Sequence, residues 1–447
     1  MRKTINLKKG LNMRLEGQLT DTCPVADVKP EKIAIVPDDY PGFLPKPEVK
    51  EGETVIQGAP LMHDKNDPDV KLVSPICGTV ESITRGARRK IERIVVKRSN
   101  SDSAPTAIDV PESPTGEDVR KALKVSGLWA MMRRRPYDIL PMDSDRPRDI
   151  FVTGMDTAPL AIDLYRTVAG KEAEMDKGVE ALKSLTKGSV YISVAQGSNM
   201  PDIKGAEIVE FNNLHPAGNA GVQIANIAPV NKGDVVWCLD IVTLVKIGEL
   251  MLTGRVDFTV TVAITGSEVE HPKAVTTLPG APLAQLLEKD VKEDGRHHRI
   301  ISGNVLTGTN EGIEGYLRYP YRQVTVIPEG DDTDEFMGWA SLSPNKMSES
   351  RSFLGRFLGK KFNPDARLNG GRRAMIMSGV YDRYIPMDIE PEYLLKAIIS
   401  RDIDRMEALG IYEVAPEDFA LAEYADPSKL ELQRIVREGL DYMHKEA

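Results

Sequence analysis

Within nine residues, Trp129, Met132, Arg133, Arg135 and Tyr137 gather hydrogen-bond donors beside aromatic and thioether walls. A flat ring carrying two carbonyl acceptors needs that combination, because donors fix the carbonyls while apolar walls hold the ring faces. The loop Val36-Pro-Asp-Asp-Tyr-Pro-Gly-Phe43 offers Tyr40 and Phe43 as further walls. The competing duty is structural. Trp129 and Met132 would then fill a core, and the arginines would pair with Asp143, Asp145 or Asp149.

Other reactive groups are sparse. Cys23, Cys77 and Cys238 are far apart with no C-x-x-C pair, which supports neither a disulfide framework nor a zinc site. Buried thiols in a reducing compartment are the expectation. His297-His298, beside Arg296 and Arg299, is read as lacking a metal-ligand partner, so no metal site is expected. Gly308, Gly312 and Gly315 read as turn residues rather than a phosphate cradle.

The stretch that must position these groups runs from Asp240 to Leu287. Ile241, Leu244, Val245, Leu250 and Leu252 have helical spacing, and Gly254 stands where the helix would stop. Val256 to Ile264 then alternates with the two-residue period of a strand. Leu283 to Leu287 opens a short helix. This is a helix leading out of one α/β domain into a small β-rich module.

Before it, residues 1–100 read as short strands between Pro and Gly turns. Val49–Gly58 and Lys71–Ile83 are two halves of one pattern. The pattern resembles the barrel-sandwich hybrid of biotinyl and lipoyl carriers, but Asn66-Asp-Pro-Asp69 alters the hairpin. Lys65 is therefore expected to be a solvated charge rather than a carrier lysine. Residues 99–114 have linker composition. A helix at Thr115–Val125, a strand at Asp149–Thr153, helical text over Pro159–Lys187 and strands at Ser189–Val194 and Asp234–Cys238 follow. That alternation predicts a Rossmann-like α/β domain over 101–256. Residues 257–330 resemble a β-grasp module of the soluble-ligand-binding type, and a basic amphipathic segment with a helical C-terminal region follows over 331–447.

Across 447 residues the net charge is −9, which argues against a nucleic-acid partner. The first residues have no apolar signal core, and no run reaches about 18 apolar residues. From Lys346 to Arg373, eight Lys or Arg face only two acids, Glu349 and Asp365. Phe353, Leu354, Phe357, Leu358 and Phe362 fall near one face of a helix. With Arg351 and Arg356, they read as a basic amphipathic contact with a membrane surface or an integral-membrane partner. A helix packed on its own core is the alternative.

Several motifs carry a family resemblance along essentially the whole chain. They are Gly127-Leu-Trp, Arg135-Pro, Met155-Asp-Thr-Ala-Pro-Leu160 and His215-Pro-Ala-Gly218. Ile300-Ile-Ser-Gly303, Arg351-Ser-Phe-Leu-Gly355 and Met387-Asp-Ile-Glu-Pro391 complete the set. Together they resemble the A subunits of bacterial sodium-translocating NADH:quinone reductases. These are cousins of the C subunit of Rnf-type complexes and of the NADH-binding flavoprotein of respiratory complex I. The resemblance implies a peripheral subunit on the cytoplasmic face of the bacterial inner membrane. Its assembly would oxidise NADH, reduce ubiquinone and export sodium, a translocase in which this polypeptide alone is not catalytic. It also implies that FMN, FAD, riboflavin and iron–sulfur centres lie in the partner subunits, and that the chief partner is an integral-membrane subunit.

Two departures sharpen that expectation. The flavoprotein relatives follow Ser-Gly-Leu with a glycine-dense loop, whereas Trp129, Met131, Met132 and Arg133 to Arg135 stand here. Bulky side chains keep the backbone from closing on a flavin phosphate. The positions of the cousins' cluster cysteines are Pro416, Phe419, Ala422 and Asp426, none of them a thiolate. A cofactor-free subunit follows, with the Trp129 loop, Tyr40 and Phe43 as the ubiquinone contact. Direct NADH or flavin binding, or a purely structural adaptor, are the alternatives.

Overall fold

Asp240 ends a strand and starts a helix in one step. In the computed structural model, which describes residues 2–20, 25–99, 104–331 and 338–446, Val236–Asp240 is a strand and Ile241–Thr253 a helix. The Asp240 carboxylate accepts from the Thr243 amide at 2.7 Å, satisfying one of the donors a helix start leaves open. Gly254 closes the helix with φ +68°, a left-handed conformation that costs glycine nothing. Lys246, the charge that interrupts the apolar run, is buried. Its ammonium donates to the carbonyls of Asp257 (2.5 Å) and Thr259 (2.7 Å), and burial pushes its pKa down to about 8. It ties the helix to the first strand of the next module.

The central sheet has the order Lys3–Ile5, Glu207–Phe211, Val190–Ala195, Ile150–Thr153, Val236–Asp240, Arg133–Arg135. All pairs are parallel except the last, which is antiparallel. The middle four strands have the 3-2-1-4 arrangement of a doubly wound half. The helical text over 159–187 resolves into Leu164–Val168 and Glu172–Lys183, broken at Gly170 with φ +83°. The Glu207–Phe211 strand and the Ala220–Ile227 helix are additions to the expectation. Two glutamates dilute the strand's apolar signal, and the helix begins inside a glycine-bearing loop.

Two N-terminal strands within the expected 1–100 unit pair with sheets other than the barrel's own. Lys3–Ile5 extends the central sheet, and Val25–Asp27 pairs in parallel with Lys273–Thr277 of the β-grasp sheet. The barrel-sandwich hybrid proper spans two small sheets between Lys32 and Arg98. At its hairpin, the Asp64 carboxylate accepts from the amides of Leu44 (2.6 Å), Asn66 (2.6 Å) and Asp67 (3.1 Å), and Lys65 is exposed. The β-grasp sheet is centred on Gln323–Pro328 and Val260–Thr265. The short helix Leu283–Leu287 buries Leu283, Leu286 and Leu287 against it.

The amphipathic helix expected over 353–362 does not form. One 3-10 turn, Leu354–Phe357, is all the helical structure there. Gly355 and Gly359 weaken a helix, and a Cβ at Gly355 would meet the Lys346 carbonyl oxygen at 2.0 Å. The chain instead bonds to the N-terminal segment: Phe362 N donates to Arg14 O (2.8 Å) and Glu16 N to Phe362 O (2.9 Å). The four helices Pro391–Ser400, Ile403–Ala408, Ala420–Ala425 and Leu432–Glu446 follow. They share a core with Phe211, Val209 and Tyr137 at the sheet edge.

Arg135 latches this helical region to the sheet. It is 2% exposed. Its guanidinium lies 3.3 Å from Glu417, 3.5 Å from Asp138 and 3.8 Å from Asp418. Arg437 closes the latch, donating to the carbonyl oxygens of Tyr137 (2.7 Å) and Asp138 (3.2 Å). Burial raises the Asp418 carboxyl above its ordinary range, against the pull of Arg135. A raised folded-state value stabilises fully below the unfolded value and is lost as pH rises through the folded one.

Two measurements check these packing arguments. Wild-type unfolding free energy, relative to Asp418→Asn, should fall as pH rises from the ordinary carboxylate range through the raised value. Denaturant titrations at several pH values would read this, and parallel profiles would refute it. Gly178 and Gly248 let the helices 172–183 and 241–253 cross closely, since Cβ atoms there would meet Leu244 O at 2.5 Å and Glu174 O at 1.7 Å. Gly248→Ala should therefore destabilise by at least about 1–3 kcal/mol despite its better helix propensity, and lower the thermal midpoint.

Candidate functional site

The Trp129 loop is sealed. Leu128, Trp129 and Met132 are fully buried. The indole of Trp129 donates to Pro141 O at 3.0 Å and meets Trp237 edge-on at 5.2 Å. The Arg120 guanidinium lies over both rings, 5.6 and 5.2 Å from their centres. Arg133 donates to the backbone oxygens of Ala130 (2.9 Å), Met132 (3.2 Å) and Asp39 (2.9 Å).

This loop is also a three-domain junction. Tyr40 of the barrel stacks on Tyr319 of the β-grasp module, centroids 4.8 Å apart and planes within 6°. Arg133 lies 5.8 Å from the Tyr319 ring centre, and the Tyr319 hydroxyl donates to Met131 O at 3.0 Å. Asp39 receives Arg318 Nε at 2.7 Å and Tyr319 N at 3.1 Å. Burial raises the pKa of Asp39, Tyr40 and Tyr319. Phe43 is buried in the same core.

The seven candidate ring-binding residues thus fall into two groups. Tyr40, Phe43, Trp129, Met132 and Arg133 surround the junction. Arg135 and Tyr137 face the helical region, where Tyr137 packs 6.0 Å from Tyr412 and 5.0 Å from His444. The donors of both groups are turned onto backbone carbonyls and carboxylates. Of the arginines, Arg134 lies 3.4 Å from the anticipated Asp145, while Arg135 takes other partners. Sequence reading missed Tyr319. Its ring stack with Tyr40 spans 279 positions and leaves no local signal.

The large cavity lies elsewhere. About 590 Å3 opens at the carboxyl ends of the 150–153 and 190–195 strands, lined among others by Arg14, Asp156, Thr157, Gln196, Asn199 and Lys361. Doubly wound sheets bind ligands at such strand ends. Two of the family-like motifs meet here. Thr157 Oγ1 lies 3.1 Å from His215 Nδ1 and accepts from Gly218 N at 2.9 Å. Burial depresses His215 to about 4, so the imidazole is neutral at physiological pH. Burial also raises the Asp156 carboxyl, which accepts from Ala158 N at 2.8 Å. None of the seven ring-binding candidates lines this cavity.

The contact segment is split. Phe353 and Phe362 are buried, whereas Phe357 is 68% exposed. Leu342 is 87% exposed and Trp339 58%, and Leu354, Leu368 and Ile376 are also exposed. Arg351 is exposed, and Arg356 pairs with Glu349 at 3.1 Å. A solvent-facing apolar and basic surface is present without a helix beneath it.

Three of the four positions of the cousins' cluster ligands, Phe419, Ala422 and Asp426, hold buried groups. Phe419 and Ala422 are fully buried, and Asp426 accepts from the Tyr381 hydroxyl (2.9 Å) and from the amides of Ser428 (3.0 Å) and Leu430 (2.8 Å). Cys77 is partly buried and Cys238 buried, while Cys23 lies outside the described residues. His298 does have acidic neighbours, contrary to expectation: Glu268 at 3.4 Å and Asp294 at 3.5 Å. They come from a loop thirty positions upstream and from the turn just before the strand.

Comparison with known proteins accounts for this set of domains. Residues 5–99 match the NqrA N-terminal barrel-sandwich hybrid domain, 114–256 the NqrA second alpha/beta domain, and 261–311 the NQRA C-terminal domain. The A subunit of the Na(+)-translocating NADH-quinone reductase of Pasteurella multocida is 37% identical over 448 residues, covering 99% of this chain and 100% of the relative. The corresponding subunits of Neisseria meningitidis serogroup A and Actinobacillus succinogenes are 35% and 36% identical over the same shares. An NAD+-reducing [NiFe]-hydrogenase structure covers 50% of this chain and 52% of its own at 12% identity and TM-score 0.34, too distant to carry an argument. With its domains matched in order and relatives aligned end to end, the chain belongs to the NqrA family.

Proposed function

We propose that this chain is a peripheral subunit of a sodium-pumping NADH:quinone reductase and docks on an integral-membrane subunit. The full-length identity to the A subunits of that reductase carries the reading. Among the described residues no helix is long and apolar enough to cross a membrane, so attachment has to come through a surface.

The exposed part of the 339–377 segment supplies that surface. Trp339, Leu342, Phe357, Leu368 and Ile376 present apolar area that a partner would desolvate, beside Arg351, Lys360, Arg372 and Arg373. Aromatic and aliphatic anchors rimmed by cations suit the junction between a membrane subunit and the anionic cytoplasmic leaflet. Phe353 and Phe362 serve as the roots that hold the surface in place. In this reading the flavins, iron–sulfur centres and ubiquinone site belong to other subunits. The residues of the Trp129 loop, with Tyr40 and Phe43, hold three domains together.

A second reading is supported by the cavity at the strand ends, where Arg14 and Lys361 suit an anionic ligand such as a flavin or nicotinamide nucleotide. The glycine-poor loop after Ser126-Gly-Leu128 favours the docking reading, because a nucleotide phosphate needs close backbone approach.

Two experiments separate the readings. The purified full-length chain should show no stoichiometric flavin or iron absorbance, and a stoichiometric signal would favour the second. Leu342→Asp combined with Phe357→Asp should release the folded subunit from membranes carrying the other subunits. Co-sedimentation at the wild-type level would remove this segment from docking.

A further inference from the structure

We propose that Glu268 and His298, with Asp294 behind the imidazole, bind a divalent transition-metal ion of the zinc class. Glu268 is 0% exposed, and its Oε1 accepts from Asn363 Nδ2 at 3.3 Å. Its Oε2 is buried without a hydrogen-bond partner, and so is His298 Nδ1, which lies 3.4 Å away. Two orphaned lone-pair atoms therefore face each other in the protein interior. An ionised carboxylate left this way is costly unless a cation compensates it.

The neighbouring cations have other duties. Lys292 Nζ donates to Ser267 O at 2.6 Å, Arg296 Nε to Asp294 at 2.7 Å, and Arg299 Nε to Glu329 at 2.9 Å. The separation itself fits an ion. Bonds of about 2.0–2.2 Å at a tetrahedral angle place two ligand atoms roughly 3.4 Å apart.

Asp294 supports the ring from its other side. Its Oδ1 is 3.5 Å from His298 Nε2, where it would hold the Nε2 proton and leave the Nδ1 lone pair free for the metal. One candidate ligand atom from each of the three side chains lies within 4.8 Å of the other two. The exposed position of Asp294 leaves the remaining coordination open to water.

The ion would join parts distant in sequence. Glu268 follows the 260–265 strand, and His298 begins the His298–Ser302 strand. Asn363 hydrogen-bonds both Ser267 and Glu268. A bound metal would therefore stiffen the β-grasp edge where the 339–377 segment is rooted.

The test uses the full-length chain, stripped with chelator, desalted and titrated with Co2+ and Zn2+. One equivalent of Co2+ should give the visible absorption of a tetrahedral site, and Zn2+ should abolish that signal and raise the thermal midpoint. Glu268→Gln and His298→Ala should each lose the signal, whereas His297→Ala should keep it. Glu268→Gln retains the shape and the Asn363 contact, and the partly exposed position of His298 allows the second variant to fold if the first does not. Absence of saturable binding would overturn the site, as would binding that survives in both variants. A lower midpoint in metal-free His298→Ala with no Zn2+ response would assign the three groups to a proton-held ion pair instead.

Discussion

A guanidinium cannot shed its proton to enter a protein interior, so wherever arginine is buried, carboxylates must come to it. Arg135 sits on the antiparallel edge strand of the central sheet with 2% exposure, and this fixes where the C-terminal region must lie. The turn Pro416–Phe419 brings Glu417 and Asp418 to the guanidinium, while Asp138 approaches from the same hairpin. Asp418 also accepts from Ala415 N at 2.8 Å, so one carboxylate both shapes the turn and neutralises the cation. Removing one member of such a cluster typically costs about 3–5 kcal/mol, because the other charge stays buried. The helical core around Phe419, Val436 and Leu440 follows from that docking.

The second constraint is the junction of Tyr40, Arg133 and Tyr319. It joins side chains with the chemistry of a ligand site to one another. Arg133 spends its donors on three backbone carbonyls, and the tyrosine rings stack on each other rather than on a guest. Sequence types show what a group can do, whereas its nearest partners decide what it does. Beside the local carbonyls of Ala130 and Met132, those partners lie at positions 39, 40 and 319, beyond any local window.

Legibility in the sequence follows the range of the forces involved. The helix from Ile241 to Thr253 and its stop at Gly254 were readable, since spacing and a left-handed glycine are local properties. The strand Ile150–Thr153 was readable for the same reason. The 353–362 segment was misread, because its apolar spacing suits a helix while Gly355, Gly359 and the pairing with residues 14–16 decide otherwise. Likewise, the threading of Lys3–Ile5 and Val25–Asp27 into two other sheets carries no local mark. Within the cavity, the Met155-Asp-Thr and His215-Pro-Ala-Gly motifs were visible, but only their contact through Thr157 shows that they build one place.

That same separation of local and distant forces bears on how a surface without secondary structure can present a docking face. A segment that lacks regular hydrogen bonding must be held by side chains and by isolated backbone contacts. Phe353 and Phe362 supply buried anchors, and Phe362 pairs with Arg14 and Glu16 through its backbone. Gly355 lets the turn lie directly on Lys346, and Tyr384 donates to Glu349 at 2.7 Å. Between these fixed points Phe357 and Leu358 are turned outward. Ordering such a loop before it meets a partner removes part of the entropy that binding would otherwise have to overcome. Irregular backbone here is therefore compatible with a defined interface, and the buried phenylalanines matter as much to it as the exposed one.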